Sequence, residues 1–359
     1  MTEALSIGTA RARARIFLAP MSGITDLPFR RLAHRFGAGL VVSEMVASQE
    51  LVVDNADSLL RMDVSGLETP VVQLAGREAY WMAEAAKRAE AAGACIIDIN
   101  MGCPAKKVTS GYSGSALMRD LDHALSLIEA TVSAVSVPVT LKMRLGWDEV
   151  TINAPDLARR AEAAGVQMIT VHGRTRCQFY TGEANWAAIN AVKLAVTIPV
   201  IANGDLTASQ DTPTMLSQSG ADALMVGRGA YGRPWLPGYL AASNPKTFLA
   251  QLPCPLDLIV EHYEALLQHH AVHQGLPLGV RIARKHLNWY LATTERTKDL
   301  PSVDRHVLLR SDSAREVVAT IKSVWKNARW TEPSSTRATK TAQVDTFEAL
   351  AAPQQARAA

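Results

Sequence analysis

A cysteine stands at a position where packing alone gives it little to do. Cys103 lies in the segment NMGCPAKK, between Gly102 and Pro104, and directly follows the apolar run at 95–99. This order predicts a thiol at the carboxyl end of a buried strand, where the chain must turn. In a barrel of alternating strands and helices, that edge carries the chemistry. The segment therefore favours a reactive cysteine over an inert buried one.

Polar residues also follow most of the other short apolar runs. In chain order, the residues at these eight strand ends are Pro20-Met21, Glu44, Gln73, Asn100, Lys142, His172, Asn203 and Gly227-Arg228. A single case is explained by a hydrogen-bonded structural group, but a whole ring of them predicts a cofactor site at a barrel mouth. Glycines at 204, 227 and 229, together with Arg228, suit a bound phosphate.

The apolar runs alternate with Ala-rich segments that have helical spacing, such as 79–92 and 123–134. The predicted strands are 16–19, 40–43, 71–74, 95–99, 139–143, 168–171, 200–202 and 223–226. Continuously apolar strands between helices indicate a parallel sheet that is covered on both faces. Eight such units favour a closed (β/α)8 TIM barrel over an open doubly wound sheet.

The pattern changes after residue 238, because helical segments follow at 256–274, 280–293 and 311–328 without another strand. We predict a flexible basic arm over 1–14, a catalytic barrel over 15–245, a small C-terminal helical domain over 253–330 and a flexible tail over 331–359. Residues 281–330 hold 11 Lys and Arg against 5 Asp and Glu, although the net charge of the chain is only +3. This basic segment favours a polyanionic partner, and the alternative is a solvated helical face.

Composition limits the class of protein. Hydrophobic residues make up 48% and charged residues 20%, which excludes wholesale disorder. The four cysteines are widely scattered, which is typical of a reducing compartment. No apolar run reaches the length of a membrane span, and residues 1–15 lack the core of a signal peptide. We expect a cytoplasmic monomer that does not bind membranes.

Two patterns are weak signals. Residues 227–232 match G-x-G-x-x-G, but they follow the eighth predicted strand, and no acidic residue ends a later strand, so a dinucleotide fingerprint is disfavoured. Four histidines share one helical segment, at His262, His269, His270 and His273. They lack carboxylate or cysteine partners in a ligand pattern, so we predict a solvated helix face and no metal.

Six stretches resemble the motifs of the tRNA-dihydrouridine synthases. They are APMSGITD at 19–26, SEM at 43–45, DINMGCPAKKV at 98–108, VHGRT at 171–175, IANGD at 201–205 and GR at 227–228. The resemblance covers about residues 16–290, includes RIARKH at 281–286, and is greatest to the bacterial B-type branch, which includes nitrogen-regulation-like proteins. Ser22 stands where many relatives have Ala.

The resemblance implies an FMN enzyme that reduces the C5–C6 double bond of a uridine in tRNA, with NADPH as the electron source. A hydride delivered from the flavin to C6 leaves negative charge toward C5, which then needs a proton. A thiol with an ordinary pKa of about 8.5 is mostly protonated at neutral pH, so Cys103 is the predicted general acid.

The family pattern also implies roles for other residues. Those expected to line the flavin are Pro20, Met21, Ser22, Gln73, Lys142, His172, Asn203, Gly204, Asp205, Gly227 and Arg228. Asn100 and Arg144 are expected at the uracil. The basic segment itself, with cations for phosphates and aromatic rings for stacking, predicts the residues that hold the RNA body. They are Arg281, Arg284, Lys285, Trp289 and Tyr290, with additions from Lys106, Lys107, Arg174 and Arg176. The role of Glu44 stays open between structural support and a place near the substrate.

Two other functions compete with this one. An FMN barrel reductase acting on a small molecule would use the same mouth without a basic helical module. An RNA-binding or regulatory protein that merely holds a flavin would not need Cys103. Neither explains both the thiol segment and the charge at 281–330. The modified uridine is not readable from the sequence, since it depends on how the RNA docks.

Overall fold

The computed structural model describes residues 1–295 and 300–335. Its strands are β1 Leu5–Ile7, β2 Ala10–Ala12, β3 Ile16–Leu18, β4 Val42–Ala47, β5 Val71–Ala75, β6 Ile96–Met101, β7 Val139–Arg144, β8 Met168–His172, β9 Val200–Asn203 and β10 Ala223–Val226. The last eight form one parallel sheet in the order β3-β10-β9-β8-β7-β6-β5-β4. A parallel bridge between Leu18 and Val41 joins its two edges. The predicted (β/α)8 barrel is therefore confirmed.

Helices cover the outside of the barrel and form the C-terminal part of the chain. They are α1 Leu27–Arg35, α2 Ser48–Val52, α3 Ala56–Met62, α4 Ala79–Ala91, α5 Lys106–Thr109, α6 Leu121–Ala134, α7 Ala154–Ala163, α8 Trp186–Ala195, α9 Asp211–Ser219, α10 Leu236–Ala241, α11 Pro245–Ala250, α12 Pro255–Gln274, α13 Leu276–Thr293, α14 Ser302–Arg310 and α15 Ala314–Val324. Barrel strands are buried along nearly their whole length, as expected for a sheet enclosed by helices.

The N-terminal residues differ from the predicted flexible arm, because β1 and β2 pair as an antiparallel hairpin. Leu5, Ile7 and Ala12 are buried with residues from the amino ends of the barrel strands, among them Phe17 and Met168. The hairpin thus covers the end of the barrel opposite the mouth. Each strand has three residues, which is too short for alternation to be recognised in a sequence.

The C-terminal helices share a continuous apolar core with the barrel. Buried residues of α12 and α13, such as Tyr263 and Tyr290, belong to the same cluster as Phe29 of α1. Helix α14 was not predicted, and α15 is shorter than the predicted 311–328 segment because Ser313 caps its amino end. Of the predicted tail, residues 331–335 lie against the barrel, where Thr207 Oγ1 donates to Ser334 O. The remainder, 336–359, lies outside the described residues.

No helix in the described part of the chain is long and apolar enough to cross a membrane.

Candidate functional site

A chain of side-chain hydrogen bonds crosses three neighbouring strands near the barrel mouth. Asn100 Nδ2 donates to Gln73 Oε1 at 2.7 Å, and Gln73 Nε2 donates to Asp98 Oδ2 at 2.7 Å. Thr140 Oγ1 donates to the other oxygen of Asp98 at 2.6 Å. The strand register brings these groups together, because Gln73 pairs with Asp98 and Asp98 pairs with Thr140. Four buried polar groups therefore satisfy one another inside the barrel.

Sequence reasoning did not single out Asp98, although an acidic residue within an apolar run was a visible signal. Burial raises the pKa of Asp98, and the donors Thr140 and Gln73 together with the charge of Lys142 oppose that effect. The carboxylate orients the Gln73 amide, which in turn orients Asn100. Asp98 thus helps to orient Gln73 and Asn100, which are two residues of the predicted site.

The Cys103 loop is held at several backbone atoms. Asn100 Oδ1 accepts from the N–H groups of Gly102 and Cys103, at 3.2 and 3.0 Å. Arg144 Nε donates to Gly102 O at 2.8 Å, and Ser115 Oγ donates to Cys103 O at 2.8 Å. The thiol is therefore carried on a fixed turn at the end of β6, where the sequence placed it.

Burial raises the pKa of the Cys103 thiol, while Arg144 and Lys142 act in the opposite direction. A thiol whose pKa lies above its ordinary value is protonated throughout the neutral range. This is the state that a proton donor needs.

Arg144, which was expected at the uracil edge, is held by the protein backbone. Its guanidinium donates to three backbone carbonyls, those of Gly102, Thr175 and Phe179, and the residue is 1% exposed. Arg144 therefore braces the Cys103 loop against the loop that follows β8.

Lys142 of β7 lies beside Asn100 of β6, because the two residues pair in the sheet. Its Nζ donates to Asn203 Oδ1 at 3.2 Å, and Asn203 Nδ2 donates to Met225 O at 2.9 Å. Burial lowers the pKa of Lys142 to about 8, although Asp98 raises it. Lys142 is therefore mostly a cation at neutral pH and can lose its charge in mild alkali.

His172 ends β8 beside a cluster of cations. Burial lowers the pKa of His172 well below 6.5, and the charges of Arg144, Lys142, Arg174 and Arg228 lower it further. Its Nε2 lies 3.2 Å from Nη1 of Arg174. Because a guanidinium only donates, the neutral imidazole accepts at Nε2.

A buried ion pair joins the loop after β8 to the loop after β9. Arg174 Nη2 donates to Asp205 Oδ2 at 2.6 Å, and the two side chains are 0% and 2% exposed. The expectation that Arg174 grips RNA from a rim loop is therefore wrong, since its guanidinium is enclosed by Asp205 and by carbonyls at 181 and 182. Gly204 has φ +124, and a Cβ there would lie 2.6 Å from Ala184 Cβ. Only glycine fits this close approach.

Tyr180 is a site residue that sequence reasoning missed. The Arg228 guanidinium lies 4.7 Å from the centre of its ring, and that of Arg144 lies 5.6 Å away. The His172 ring lies 6.5 Å from it. The Tyr180 side chain is partly exposed, so it forms one wall of the mouth. Nothing in the local sequence of a polar loop distinguishes such a tyrosine.

Pro20, Met21 and Ser22 lie on the loop between β3 and α1. Met21 N–H donates to Thr25 Oγ1 at 2.9 Å, which closes the loop on itself. Glu44 lies within β4 rather than after it, where the pairing register with β5 shifts, and its Oε1 accepts from Gly23 N–H. Glu44 therefore has a structural contact with this loop.

Gly227 and Arg228 follow β10, next to Asn203 and Gly204 of the neighbouring strand end, because Met225 pairs with Asn203. Residues 228–230 form a single 3-10 turn. Arg228 Nη2 lies 3.5 Å from Asp205 Oδ1, and its side chain is 36% exposed. These two strand ends thus present glycine backbone and one accessible guanidinium side by side.

Only some of the residues predicted to bind the RNA body have free, exposed side chains. Arg281 of α13 has an exposed side chain. Arg284 Nη2 donates to Arg310 O, Ser311 O and Asp312 Oδ1, which ties α13 to the segment after α14. Lys285 Nζ donates to Gly23 O at 2.8 Å. Arg284 and Lys285 are therefore engaged with the protein.

The two aromatic residues assigned to RNA stacking belong to the interior instead. Trp289 and Tyr290 are 8% and 1% exposed. Trp289 stacks on Tyr231 with ring centres 4.1 Å apart, and the Tyr290 hydroxyl lies 2.9 Å from His262 Nδ1. Their large apolar area covers the junction of α13 with the barrel.

The histidines of α12 also differ from the prediction of a solvated face. His262 and His270 are buried, and His270 Nε2 lies 3.5 Å from Asp26 Oδ2. Burial lowers the pKa of His262 and of His269 to about 4. The side chain of His273 lies outside the described set. Among the described residues, no group of His, Cys, Asp and Glu has the arrangement of a metal site.

Comparison with known proteins identifies the family. The family profile described as dihydrouridine synthase matches residues 17–324. The chain belongs to the dihydrouridine synthase family. A probable tRNA-dihydrouridine synthase from Rhizobium leguminosarum is 58% identical over 309 residues, which cover 86% of this chain and 94% of that protein. The tRNA-dihydrouridine synthase B of Pseudomonas putida is 48% identical over 307 residues, covering 83% and 88%.

Solved structures agree on the fold of this family member. A 6-hydroxypseudooxynicotine amine oxidase from Pseudomonas geniculata superposes with a TM-score of 0.56 at 14% identity, covering 72% of this chain and 52% of that one. Histamine dehydrogenase from a Rhizobium species gives a TM-score of 0.52 at 15% identity, covering 73% and 50%. The chain spans about half the length of these proteins, and at such identities the likeness concerns the fold alone.

Proposed function

We propose that this protein is a flavin-dependent tRNA-dihydrouridine synthase, which reduces the C5–C6 double bond of particular uridines in tRNA. Family membership and the relatives named for this activity support the reaction. The arrangement of Cys103, Asn100 and Lys142 at the barrel mouth supports the chemistry. The single observation that carries the proposal is the position of Cys103, on a loop at the end of β6 that is braced by Asn100 and Arg144.

The residues at the mouth fit FMN. An ammonium group has three N–H donors, and the structure records one hydrogen bond from Lys142, to Asn203. The remaining donors suit the electron-rich edge of an aromatic cofactor. The neighbouring loops at 203–205 and 227–229 offer glycine backbone and Arg228 for a phosphate. Pro20, Met21, Ser22, Gln73, His172, Gly204, Asp205 and Gly227 complete the proposed flavin set.

When bound, FMN supplies the hydride that reduces C6 of the uracil ring. The protein has to hold the base and provide one proton. Cys103 donates its thiol proton to C5, and the thiolate that results is stabilised by the positive charges of Lys142 and Arg144. Asn100 is proposed to hold the uracil edge while its side-chain oxygen fixes the Cys103 turn. The Cys103 loop therefore both orients and protonates the substrate.

We propose that the substrate is tRNA and that it is bound by a surface that includes Arg281. A target uridine must be splayed out to reach the mouth, and the body of the RNA must be held elsewhere. The other cations available for phosphates are Lys106, Arg176, Arg305, Arg310, Arg315 and Lys322. We further propose NADPH as the electron source, a monomeric protein, and a cytoplasmic location, where tRNA is processed.

The test is to map dihydrouridine in tRNA from cells that lack this protein. Loss at one or two positions identifies substrate and site together. We expect wild-type protein to restore these positions and Cys103→Ala not to restore them, whereas the matched variant Cys177→Ala, at an exposed cysteine, restores them fully. Restoration by Cys103→Ala overturns the acid role. A purified protein that stays colourless and cannot be loaded with FMN overturns the proposed function.

A further inference from the structure

We propose that Lys285 is a positioning residue for the loop at 19–25, which it holds through the Gly23 carbonyl, and not a phosphate contact. The inference rests on the proposed function, because this loop carries Pro20, Met21 and Ser22 of the proposed flavin set. Lys285 belongs to α13, in the C-terminal helical part. The helices that receive RNA would therefore also fix a cofactor loop of the barrel.

Both backbone polar groups of Gly23 are bound by charged side chains from different parts of the molecule. The Gly23 N–H donates to Glu44 Oε1, from β4 of the barrel. The Gly23 carbonyl accepts from Lys285 Nζ at 2.8 Å, from α13. The two contacts bind the Gly23 backbone from outside the loop, so they help to determine where the turn lies.

The conformation of Gly23 makes this contact possible. Its φ of +73 lies in the left-handed region, and a Cβ would come within 3.0 Å of Lys285 Nζ. Thr25 N–H donates back to Met21 O at 3.0 Å, and Met21 N–H donates to Thr25 Oγ1 at 2.9 Å. The loop is thus a closed unit, and a displacement at Gly23 moves Met21 with it.

The charges around Lys285 favour this arrangement over an open cation. Burial lowers the pKa of Lys285, and the carboxylates of Glu44 and Asp26 raise it. Both carboxylates are buried, at 6% and 4% exposure. Releasing Lys285 to a phosphate would leave Gly23 O without its donor, while Glu44 and Asp26 would keep Arg30 as a neighbouring cation. Arg281 lies one helical turn earlier, and both side chains are exposed. The hydrogen bond to Gly23 O is what distinguishes Lys285 from Arg281.

The experiment uses the full-length protein and three variants. Lys285→Met keeps the length of the side chain and removes its charge and donors, Lys285→Arg keeps a cationic donor, and Arg281→Met is the matched control on the same helix. The measurements are the Kd for FMN from flavin fluorescence after removal and reloading of the cofactor, the KM for tRNA, and hydrogen–deuterium exchange of the peptide covering 19–26 in the flavin-free protein.

We expect Lys285→Met to raise the Kd for FMN about tenfold, since a hydrogen bond from a charged donor is lost. Exchange at 19–26 should become faster while exchange in the barrel strands stays unchanged, and the KM for tRNA should change less than about twofold. Lys285→Arg should restore slow exchange and most of the FMN affinity. Arg281→Met should raise the KM for tRNA and leave FMN binding and exchange unchanged.

The opposite pattern overturns the proposal. If Lys285→Met raises the KM for tRNA as Arg281→Met does, with FMN binding and loop exchange unchanged, then Lys285 is a phosphate contact. The exchange measurement needs no flavin, so it decides the Lys285–Gly23 contact even if wild-type protein fails to bind FMN. That failure would contradict the proposed function instead.

Discussion

The Arg174 guanidinium and the Asp205 carboxylate form an enclosed ion pair at the barrel mouth, with 2.6 Å between Nη2 and Oδ2. Arg174 also donates to the carbonyls of Thr181 and Gly182, and Asp205 accepts from the Ala184 N–H. The pair therefore joins the loop after β8 to the loop after β9. Since both loops carry proposed flavin contacts, their relative position depends on these two residues.

Breaking this pair should be strongly destabilising. Arg174→Met leaves the Asp205 carboxylate buried without its main partner, and we expect a loss of about 3 kcal/mol or more in the free energy of unfolding. Arg159→Met is the control, because the Arg159–Asp156 pair is exposed and should contribute about 0.5 kcal/mol. Urea unfolding followed by circular dichroism measures both. Equal effects of the two variants would contradict the structural importance of the buried pair.

Catalysis should decline in mild alkali. Burial lowers the pKa of Lys142 to about 8, so its positive charge is present below that pH and lost above it. The pKa of Cys103 is raised, so the thiol stays protonated to a higher pH. We expect kcat/KM for tRNA to fall above about pH 8. In Lys142→Met, kcat/KM should be lower. Its fall at alkaline pH should shift to the higher pH at which Cys103 loses its proton.

A steady-state pH profile of dihydrouridine formation measures this effect. If activity falls at the same alkaline pH in Lys142→Met as in the wild-type protein, the fall is caused by the titration of another group. Because the two titrations belong to neighbouring groups, the limb reports the pair in the wild-type protein and the thiol alone in the variant.

The buried histidines should make the protein sensitive to acid. Burial lowers the pKa of His286 well below 6.5 and that of His262 to about 4. The unfolded chain takes up protons near pH 6.5, while the folded protein does not, so stability is full above pH 6.5 and falls as the pH drops toward 4. Each such histidine contributes a slope of about 1.4 kcal/mol per pH unit within that range.

His286→Leu should therefore reduce the loss of unfolding free energy between pH 6.5 and 5.5, relative to wild type. The replacement is apolar, and neither ring nitrogen of His286 has a hydrogen-bond partner among the described residues. Urea midpoints at a series of pH values provide the measurement. An unchanged slope would mean that His286 takes up its proton to the same extent in the folded and the unfolded chain, which would contradict the burial effect.

Arg281 and Arg284 should behave differently although they are three residues apart. Arg281 is exposed, so Arg281→Ala should weaken tRNA binding and reduce the slope of log K against log salt by about 1. Arg284 holds the segment at 310–312, so Arg284→Ala should lower stability and leave the salt slope nearly unchanged. Filter binding over a range of salt concentrations separates the two. A reduced salt slope for Arg284→Ala would indicate that Arg284 contacts the RNA.

The sequence was sufficient for the barrel and for the strand-end residues because both depend on local patterns. Apolar runs that alternate with amphipathic helices determine a closed parallel sheet, and a closed sheet places every strand end at one rim. Cys103, Lys142 and Asn203 were therefore predicted to lie at one end of the barrel, and the structure brings Lys142 and Asn203 into contact there.

The tertiary structure decided what each charged or aromatic residue does, because that depends on segments far apart in the chain. Asp98 meets Thr140 through strand register, and Lys285 meets Gly23 across the junction of helices and barrel. Charge counts assigned Arg174 and Lys285 to RNA, and aromatic type assigned Trp289 to stacking, yet all three have partners within the protein. A residue type specifies which bonds a side chain can form, and only the folded chain specifies which partner lies within reach.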